Sequence, residues 1–402
     1  MTYLNYTESF LLEKGALYTA GEMTGQPALW EQTADKFFQQ SGAIRAFMHT
    51  ACSEAGNIIL TGAGTSAFIG LSLQGSFFTR TGKITRAVPT TDIVSHPRHY
   101  FHEDQTPFII SFARSGKSPE SCAALELADR LCKKCFHLII TCNEEGALAN
   151  YQSPNPVHVF VLPPEANDKS LAMTGSYTSM LLTGLLLAYA EQEEFCRQQV
   201  RLLAASAEKV FSESAESIRL IAERDFQRAV FLGSGPLFGT ATEAALKLQE
   251  LTDGQIICKA DTYLGFRHGP KAVIDETTLV VYFFNNNRYV QQYESDLLHA
   301  MKTGNSALFQ FGVSEEYLVA KELQAQIILG SNHRRADSDL RGSGNNAITE
   351  DFLPVCSIVP GQLLSFFKSL QLGLMPDNPS VSGSISRIVE GVNIYPEPGY
   401  LK

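Results

Sequence analysis

Two short segments of the sequence combine glycine with hydroxyl residues in a way that suits a bound phosphate. The first, Gly64-Thr65-Ser66, directly follows the apolar run Asn57–Thr61. A strand that ends in a glycine turn and opens a helix presents free backbone N–H groups and the positive end of the helix dipole. Residues 62–67 also fit a loose dinucleotide-binding pattern, so NAD is an alternative ligand here. Against NAD, the hydroxyls could donate to a terminal phosphate, and no clear acidic residue follows about 20 positions later.

The second segment follows the apolar run 107–111 and contains Arg114, Ser115 and Ser118. Pro119 comes next, and proline suits the first turn of a helix. Because neighbouring strand ends of a doubly wound sheet converge on one crevice, the two segments together predict a phosphate site without the bulk of a nucleotide. The alternative is that Ser115 and Ser118 only cap the helix.

Groups suited to proton transfer occur in the second half of the chain. Glu243, Lys247 and Glu250 share one face of a predicted helix, and His268 lies in a loop between an arginine and Gly-Pro. Moving a proton between adjacent carbons needs a carboxylate of tuned pKa, and opening a sugar ring needs a group that exchanges protons near neutrality, as histidine does. The alternative for the helix is a ladder of surface ion pairs.

Alternating strands and helices must position these residues. Apolar runs in the first half, separated by helix-length segments, lie at 57–61, 107–111, 137–141 and 157–162. The pattern restarts in the second half at 229–233, 278–284, 307–311 and 326–329, with a helix from about 239 to 252. Strands that are apolar on both faces belong to parallel sheets covered on both sides. We therefore predict an α/β protein with two tandem doubly wound (flavodoxin-like) domains whose parallel sheets are flanked by helices.

These patterns divide the chain into four parts. We predict a helical arm at 1–40, a first domain with the phosphate-binding loops at 41–205, a second domain with the charged helix and the His-Gly-Pro loop at 206–375, and a tail at 376–402. A long amphipathic stretch, 195–223, joins the two halves. Past Gly373 the sequence turns rich in Pro, Gly and Ser, which indicates an extended tail and not a core element.

Composition narrows the partners and the compartment. The formal charge is −10 without a long basic run, which argues against nucleic acid or an anionic membrane as partner. The apolar run 180–190 is roughly half of a membrane span, and we expect no secretory signal. Eight scattered cysteines predict reduced thiols and a cytoplasmic protein. Cys132-Lys-Lys-Cys135 has a metal-like spacing, but we expect no Cys/His cluster to complete a site.

These motifs resemble those of the sugar isomerase (SIS) family, to which the isomerase half of glucosamine-6-phosphate synthase belongs. They are Gly-Thr-Ser at 64–66, Ser-Gly-x-Ser at 115–118, Glu-x-x-x-Lys-x-x-Glu at 243–250 and His-Gly-Pro at 268–270. Five longer segments, spread over nearly the whole chain, are similar to the bacterial galactosamine-6-phosphate deaminase/isomerases, also labelled tagatose-6-phosphate ketose/aldose isomerases. They are 60–70, 87–92, 140–143, 265–271 and 382–384.

The resemblance implies a role for each residue. Glu250 would carry the proton between C2 and C1, and His268 would assist ring opening, with Lys247 and Glu243 in support. The residues that would hold the phosphate and the sugar hydroxyls are Gly64, Thr65, Ser66, Arg114, Ser115 and Ser118. The family usually pairs subunits, so we expect a homodimer or homotetramer with shared active sites, in which His268 acts in its own or a neighbouring subunit.

Two departures from the synthase indicate the direction of the reaction. No cysteine nucleophile follows Met1, so we expect no glutamine-hydrolysing domain, and residues 377–387 contain no lysine for a Schiff base with the ketose. Both fit deamination, in which a 2-amino aldose phosphate becomes an enolamine, then a ketimine, and water releases ammonia.

We predict conversion of galactosamine 6-phosphate to tagatose 6-phosphate and ammonia, with no metal or redox cofactor. One alternative is an isomerase of a neutral sugar phosphate. The other is a non-catalytic sensor of sugar phosphates, which could have lost the carboxylate and the histidine that this chain retains.

Overall fold

The computed structural model describes residues 2–330, 347–389 and 391–397, and these residues form two five-stranded sheets preceded by a helical arm. The arm consists of β1 (Thr2–Tyr3), β2 (Tyr6–Thr7), α1 (Glu8–Glu13), α2 (Leu17–Thr24) and α3 (Gln26–Gln39). The first sheet and its helices are α4 (Ser41–Glu54), β3 (Asn57–Thr61), α5 (Thr65–Thr81), β4 (Ile84–Ala87), α6 (Thr90–Ser95), β5 (Pro107–Ala113), α7 (Pro119–Leu131), β6 (Phe136–Thr141), β7 (Val157–Val161) and α8 (Gly175–Ala188).

A long helical connection leads to the second sheet. It consists of α9 (Glu193–Lys209), a π-helical turn (Val210–Ser214) and α10 (Ala215–Ala222). The second sheet and its helices are β8 (Arg228–Leu232), α11 (Leu237–Leu251), β9 (Ile257–Asp261), α12 (Tyr263–Phe266), β10 (Thr278–Phe283), α13 (Arg288–Ala300), β11 (Phe309–Ser314), β12 (Ala325–Ile328), α14 (Leu353–Ser357) and α15 (Val359–Gln371). Short 3-10 helices occur at Pro97–His99, Pro164–Ala166 and Pro270–Val273.

Both sheets have the same strand order, and every pairing in them is parallel. The first runs β4-β3-β5-β6-β7 and the second runs β9-β8-β10-β11-β12. In each sheet the second strand lies at one edge beside the first, which is the order of flavodoxin-like doubly wound folds. β5 and β6 are buried at every residue, as strands covered on both faces must be. The predicted fold class is confirmed.

The second strand of each sheet was not predicted. β4 and β9 are edge strands whose residues are mostly exposed or half-buried. Because an edge strand keeps part of its surface in water, its sequence lacks the continuous apolar run that identified the central strands.

The two domains meet where α5 packs against α11. The Ser72 hydroxyl of α5 donates to the Pro236 carbonyl at 2.7 Å, just before α11 begins. A Cβ at Gly239 would lie 2.8 Å from the Phe68 carbonyl oxygen, so the two backbones touch. The predicted boundary at 205/206 falls inside α9, and the four-part division stays a prediction.

The apolar stretch 353–371, formed by α14 and α15, is long and apolar enough to span a membrane by length and composition alone. Its most apolar window is 94% buried inside the protein, and α15 packs against α10 and α11. Such burial is typical of a core helix, since a spanning helix would present its apolar side chains to lipid.

Candidate active site

A cavity of about 470 Å³ lies at the carboxyl ends of β3 and β5. In a doubly wound sheet of this order, these two strands flank the switch point where ligands bind. Among the residues that line it, eight were predicted from the sequence: Gly64, Thr65, Ser66, Arg114, Ser115, Ser118, Lys247 and Glu250. The structure therefore brings loops of the first domain and a helix of the second domain to one space.

The first loop presents the N-terminus of α5 to the cavity. Gly64 has a φ of 54°, a value that favours glycine, and a Cβ at Gly62 would lie 2.7 Å from the Ser66 backbone. No side chain caps α5, so the positive end of its dipole is left for a ligand. Thr65 and Ser66 are both buried at this end.

The two serine hydroxyls of the second loop, those of Ser115 and Ser118, were candidates for capping α7. Ser118 is the N-cap of α7, yet its side chain makes no capping hydrogen bond. The Ser115 hydroxyl accepts the Lys117 N–H at 3.3 Å, which is a local turn contact. The capping alternative is therefore wrong for both residues: the Ser118 hydroxyl makes no capping hydrogen bond, and the Ser115 contact lies before α7 begins.

The guanidinium of Arg114 is largely used inside the protein. Its N–H groups donate to the carbonyl oxygens of Ser170, Leu171 and Arg387 at 3.2, 3.0 and 2.7 Å. Arginine has five N–H donors, so two are left over. The prediction that Arg114 holds the phosphate depends on those two, whereas its observed contacts brace the cavity wall.

The charged face of α11 is buried and not a surface ladder. Glu243 and Lys247 are 0% and 1% exposed, and Lys247 pairs with Glu243 at 3.4 Å and also with Glu250. Thr65 of the first domain donates to Glu243 at 3.3 Å. Glu250 lines the cavity, whereas Glu243 lies behind it.

Burial fixes the charges of this group. It raises the pKa of Glu243 to about 8, with Lys247 opposing the shift and Glu250 adding to it. Burial alone would lower the pKa of Lys247, but Glu243 and Glu250 outweigh it and raise that pKa. At neutral pH Glu243 therefore holds a proton, and a charged Lys247 faces Glu250.

His268 does not line this cavity. It is exposed in the loop between α12 and the 3-10 helix Pro270–Val273, next to Gly269 with a φ of 112°. The structure thus brings together the phosphate loops and Glu250 but leaves the predicted histidine on the surface of its own subunit.

Sequence reasoning missed part of the cavity wall. The C-terminal tail is extended, as predicted, but its residues 383–389 line the cavity, together with Leu171, Met173 and Ser121. Arg387 fixes the tail by donating to the Asp168 carbonyl and the Asn167 side chain at 2.8 Å each. A run rich in Ser and Gly carries no signal for such a role.

The Cys132-x-x-Cys135 segment differs from expectation. His137 and Asp129 lie 3.2 and 3.3 Å from the Cys135 sulfur, so a Cys/His cluster does exist. His137, Tyr151, Ser153 and Asn155 all donate to the Asp129 carboxylate at 2.7–3.0 Å. These contacts account for the cluster as a buried hydrogen-bonded network. All eight cysteines are free thiols.

Comparison with known proteins agrees with this architecture. The SIS domain family matches residues 52–190. D-galactosamine-6-phosphate deaminase AgaS of Shewanella sp. (strain ANA-3) is 38% identical over 391 residues, which are 96% of this chain and 94% of that protein. Tagatose-6-phosphate ketose/aldose isomerase from Escherichia coli is 33% identical with a TM-score of 0.81, over 94% of this chain and 97% of that one. A solved protein of Clostridium novyi NT, 36% identical, has a TM-score of 0.92 over 99% of this chain and 100% of its own.

The chain is therefore a sugar isomerase (SIS) domain protein with two such folds in tandem. The similarity to the Shewanella protein extends over nearly the whole of both chains. The chain belongs to the AgaS family of D-galactosamine-6-phosphate deaminases.

Proposed function

We propose that the protein converts galactosamine 6-phosphate to tagatose 6-phosphate and ammonia. The observation that carries the proposal is the meeting of Glu250 with Ser66, Ser115 and Ser118 in one cavity. A carboxylate and a phosphate site that line the same cavity of about 470 Å³ would contact the two ends of one short molecule. We take the identity of the substrate from the name of the AgaS relative, a D-galactosamine-6-phosphate deaminase.

Each end of the substrate has a matching group in the cavity. The phosphate would bind at the N-termini of α5 and α7, where hydroxyls and helix dipoles favour an anion. Glu250 would take the proton from C2 to give an enolamine and return it to C1 to give a ketimine. Water then adds to the C=N carbon, ammonia leaves, and the ketose remains. Charged Lys247, which pairs with Glu250, would hold this carboxylate in place as the base.

The tail supports hydrolysis over covalent catalysis. Residues 383–389 reach the cavity, but none of them is a lysine. Lys247, the cavity's lysine, is held by Glu243 and Glu250 and stays protonated, whereas a Schiff base needs a free amine.

His268 would act from a second subunit. It is exposed and outside the cavity of its own chain. A homo-oligomer with shared sites would bring His268 of the partner subunit to the sugar ring, where it would assist ring opening. The exposed position supports this assignment, because a side chain on the surface is accessible to a partner subunit.

Two assays test the proposal. The first measures ammonia and ketose formed from galactosamine 6-phosphate, glucosamine 6-phosphate and the neutral aldose galactose 6-phosphate. Ammonia in step with tagatose 6-phosphate is the expected result, whereas interconversion of neutral sugars without ammonia would favour the plain isomerase. Glu250→Gln should abolish turnover and leave substrate binding nearly intact; loss of binding with unchanged turnover would contradict the role of Glu250.

The second assay mixes the variants Glu250→Gln and His268→Ala. If His268 acts on the partner's substrate, each mixed dimer has one intact site, and random mixing should recover about a quarter of the wild-type activity. If His268 acts within its own subunit, the mixture stays as inactive as either variant alone. Native mass spectrometry of a tagged Glu250→Gln variant mixed with untagged His268→Ala is the control for subunit exchange.

A further inference from the structure

A loop of the first domain, residues 167–173, connects several parts of the active site. Its Leu171 and Met173 line the cavity. The carbonyl oxygens of Ser170 and Leu171 accept both Nη1 hydrogen bonds of Arg114. The position of this loop therefore sets the orientation of Arg114.

The same loop holds the tail at two points. The Leu171 N–H donates to the Asp377 carbonyl at 2.9 Å. The Arg387 guanidinium donates to the carbonyl of Asp168 and the side chain of Asn167. A displacement of the loop would therefore also displace the tail segment that closes the cavity.

The loop is fastened to the N-terminal arm by Glu22 of α2. One carboxylate oxygen of Glu22 accepts the backbone N–H groups of Lys169 and Ser170, and the other accepts the Ser170 hydroxyl. Hydrogen bonds to a charged acceptor are about twice as strong as neutral ones. Glu22 lies outside the SIS match at 52–190 and does not line the cavity.

We propose that Glu22 is a positioning residue of the active site, which sets the 167–173 loop and, through it, the orientation of Arg114 and the tail around the bound sugar phosphate. The proposal rests on the proposed function for the identity of the substrate. It does not depend on the chemical step, because the loop and the tail would grip any sugar phosphate bound in the cavity.

The charge of Glu22 provides an additional test. Burial, and then the Asp168 carboxylate, raise the pKa of Glu22 to about 7, while its hydrogen bonds to the loop oppose the shift. The other charged groups on or held by the loop are Lys169, Arg114, Arg387 and Asp377, whose carboxylate accepts from Tyr18 and Thr19 of α2. A protonated carboxyl has less acceptor capacity than a carboxylate, so the loop is held most firmly when Glu22 is ionised.

The experiment compares full-length wild type with Glu22→Ala, Glu22→Gln and, as control, Glu31→Ala, which removes an exposed carboxylate from α3 of the same arm. Sorbitol 6-phosphate, which lacks a carbonyl and cannot react, probes binding by calorimetry. We expect Glu22→Ala to weaken this binding and raise KM by about tenfold or more, with a smaller change in kcat. Glu22→Gln should fall between Glu22→Ala and wild type, and Glu31→Ala should match wild type.

The pH profile separates positioning from simple stabilisation. Wild-type binding should weaken below about pH 7 more than that of Glu22→Gln; the phosphate titrates in both, so the ratio of their dissociation constants isolates Glu22. A lowered Tm with unchanged KM and binding in the folded fraction would overturn the proposal. If wild type released no ammonia but bound sorbitol 6-phosphate in a Glu22-dependent way, the proposed function would fail and this inference would stand.

Discussion

Gly239 lies where the backbones of the two domains touch, and a single added methyl group should test how tightly their contact sets the candidate active site. A Cβ at this position would lie 2.2 Å from the Ser72 hydroxyl, 2.8 Å from the Phe68 carbonyl oxygen and 2.9 Å from the Ser72 nitrogen. The hydroxyl can rotate away. The two backbone atoms belong to α5 and cannot, so Gly239→Ala must push α11 and α5 apart.

The magnitude follows from that geometry. The contact with Phe68 falls 0.6 Å short of the 3.4 Å at which ordinary contact begins. Overpacking of this kind costs about 1–3 kcal/mol. Replacing a helical glycine by alanine stabilises the folded protein by about 1 kcal/mol. Gly75→Ala in α5 isolates that second effect, because a Cβ there meets nothing within 4 Å. Gly239→Ala should therefore be less stable than Gly75→Ala by about 2 kcal/mol or more in urea denaturation.

The same displacement should impair turnover. Glu250 lies eleven residues beyond Gly239 on α11, whereas Ser66 and Ser115 belong to the first domain. Moving α11 shifts Glu250, the proposed base, relative to the proposed phosphate site, and misplacements of about 1 Å can cost about a hundredfold in rate. We expect kcat to fall while binding of sorbitol 6-phosphate persists. Equal stability of the two alanine variants, with wild-type kcat in both, would refute the reasoning.

Two further predictions concern buried carboxylates away from the cavity. Burial, with Glu350 adding to it, raises the pKa of Glu294 from 4.5 to about 8. The folded state therefore holds the Glu294 proton more tightly than the unfolded chain does. The protein loses stability as the pH rises from 4.5 to about 8. Glu294→Gln should flatten the fall of Tm with pH and be the more stable protein above about pH 8; a wild-type slope would contradict this. Asp129→Asn should cost about 2–4 kcal/mol in denaturant unfolding, because five side chains, the Cys135 thiol included, donate to the carboxylate, whereas the exposed Asp92→Asn should cost nothing measurable.

The central strands and the site loops could be predicted because each has a recognisable sequence pattern. The strands are continuous apolar runs, and the loops combine glycine with hydroxyl residues. β5 is apolar throughout because both its faces are covered, and Gly64 marks a backbone turn with positive φ. β4 and β9 have no continuous apolar run, because edge strands tolerate polar residues. His137 was missed as a neighbour of Cys135 because the two lie two residues apart on one face of the chain entering β6, a spacing that is not that of a common metal-ligand motif.

Long-range contacts explain what the sequence could not supply about the site. Nothing in residues 383–389 indicates that they close a cavity, since their position is decided by Asp377 and Arg387, which contact the arm and the 167–173 loop. The burial of Glu243 and Lys247 was likewise invisible, because an isolated amphipathic helix looks the same whether its charged face meets water or another domain. The spacing of the charged residues correctly placed them on one face of α11. Packing against the first domain then determines that this face is buried.

The direction in which α5 and α11 pack explains why a duplicated domain yields one active site with two different ends. Ser72 contacts the start of α11 at Pro236, and Thr65, seven residues earlier on α5, contacts Glu243, seven residues later in the chain than Pro236. The helices therefore run antiparallel, so the N-terminus of α5 lies beside the C-terminal half of α11. The positive end of α5 is left to an anion, while the equivalent end of α11 carries Pro236 and the buried Leu237 in place of hydroxyls and is used for packing. Antiparallel contact thus puts the proposed phosphate site of one copy beside Glu250 of the other, whereas a parallel arrangement would have separated them by about the length of a helix.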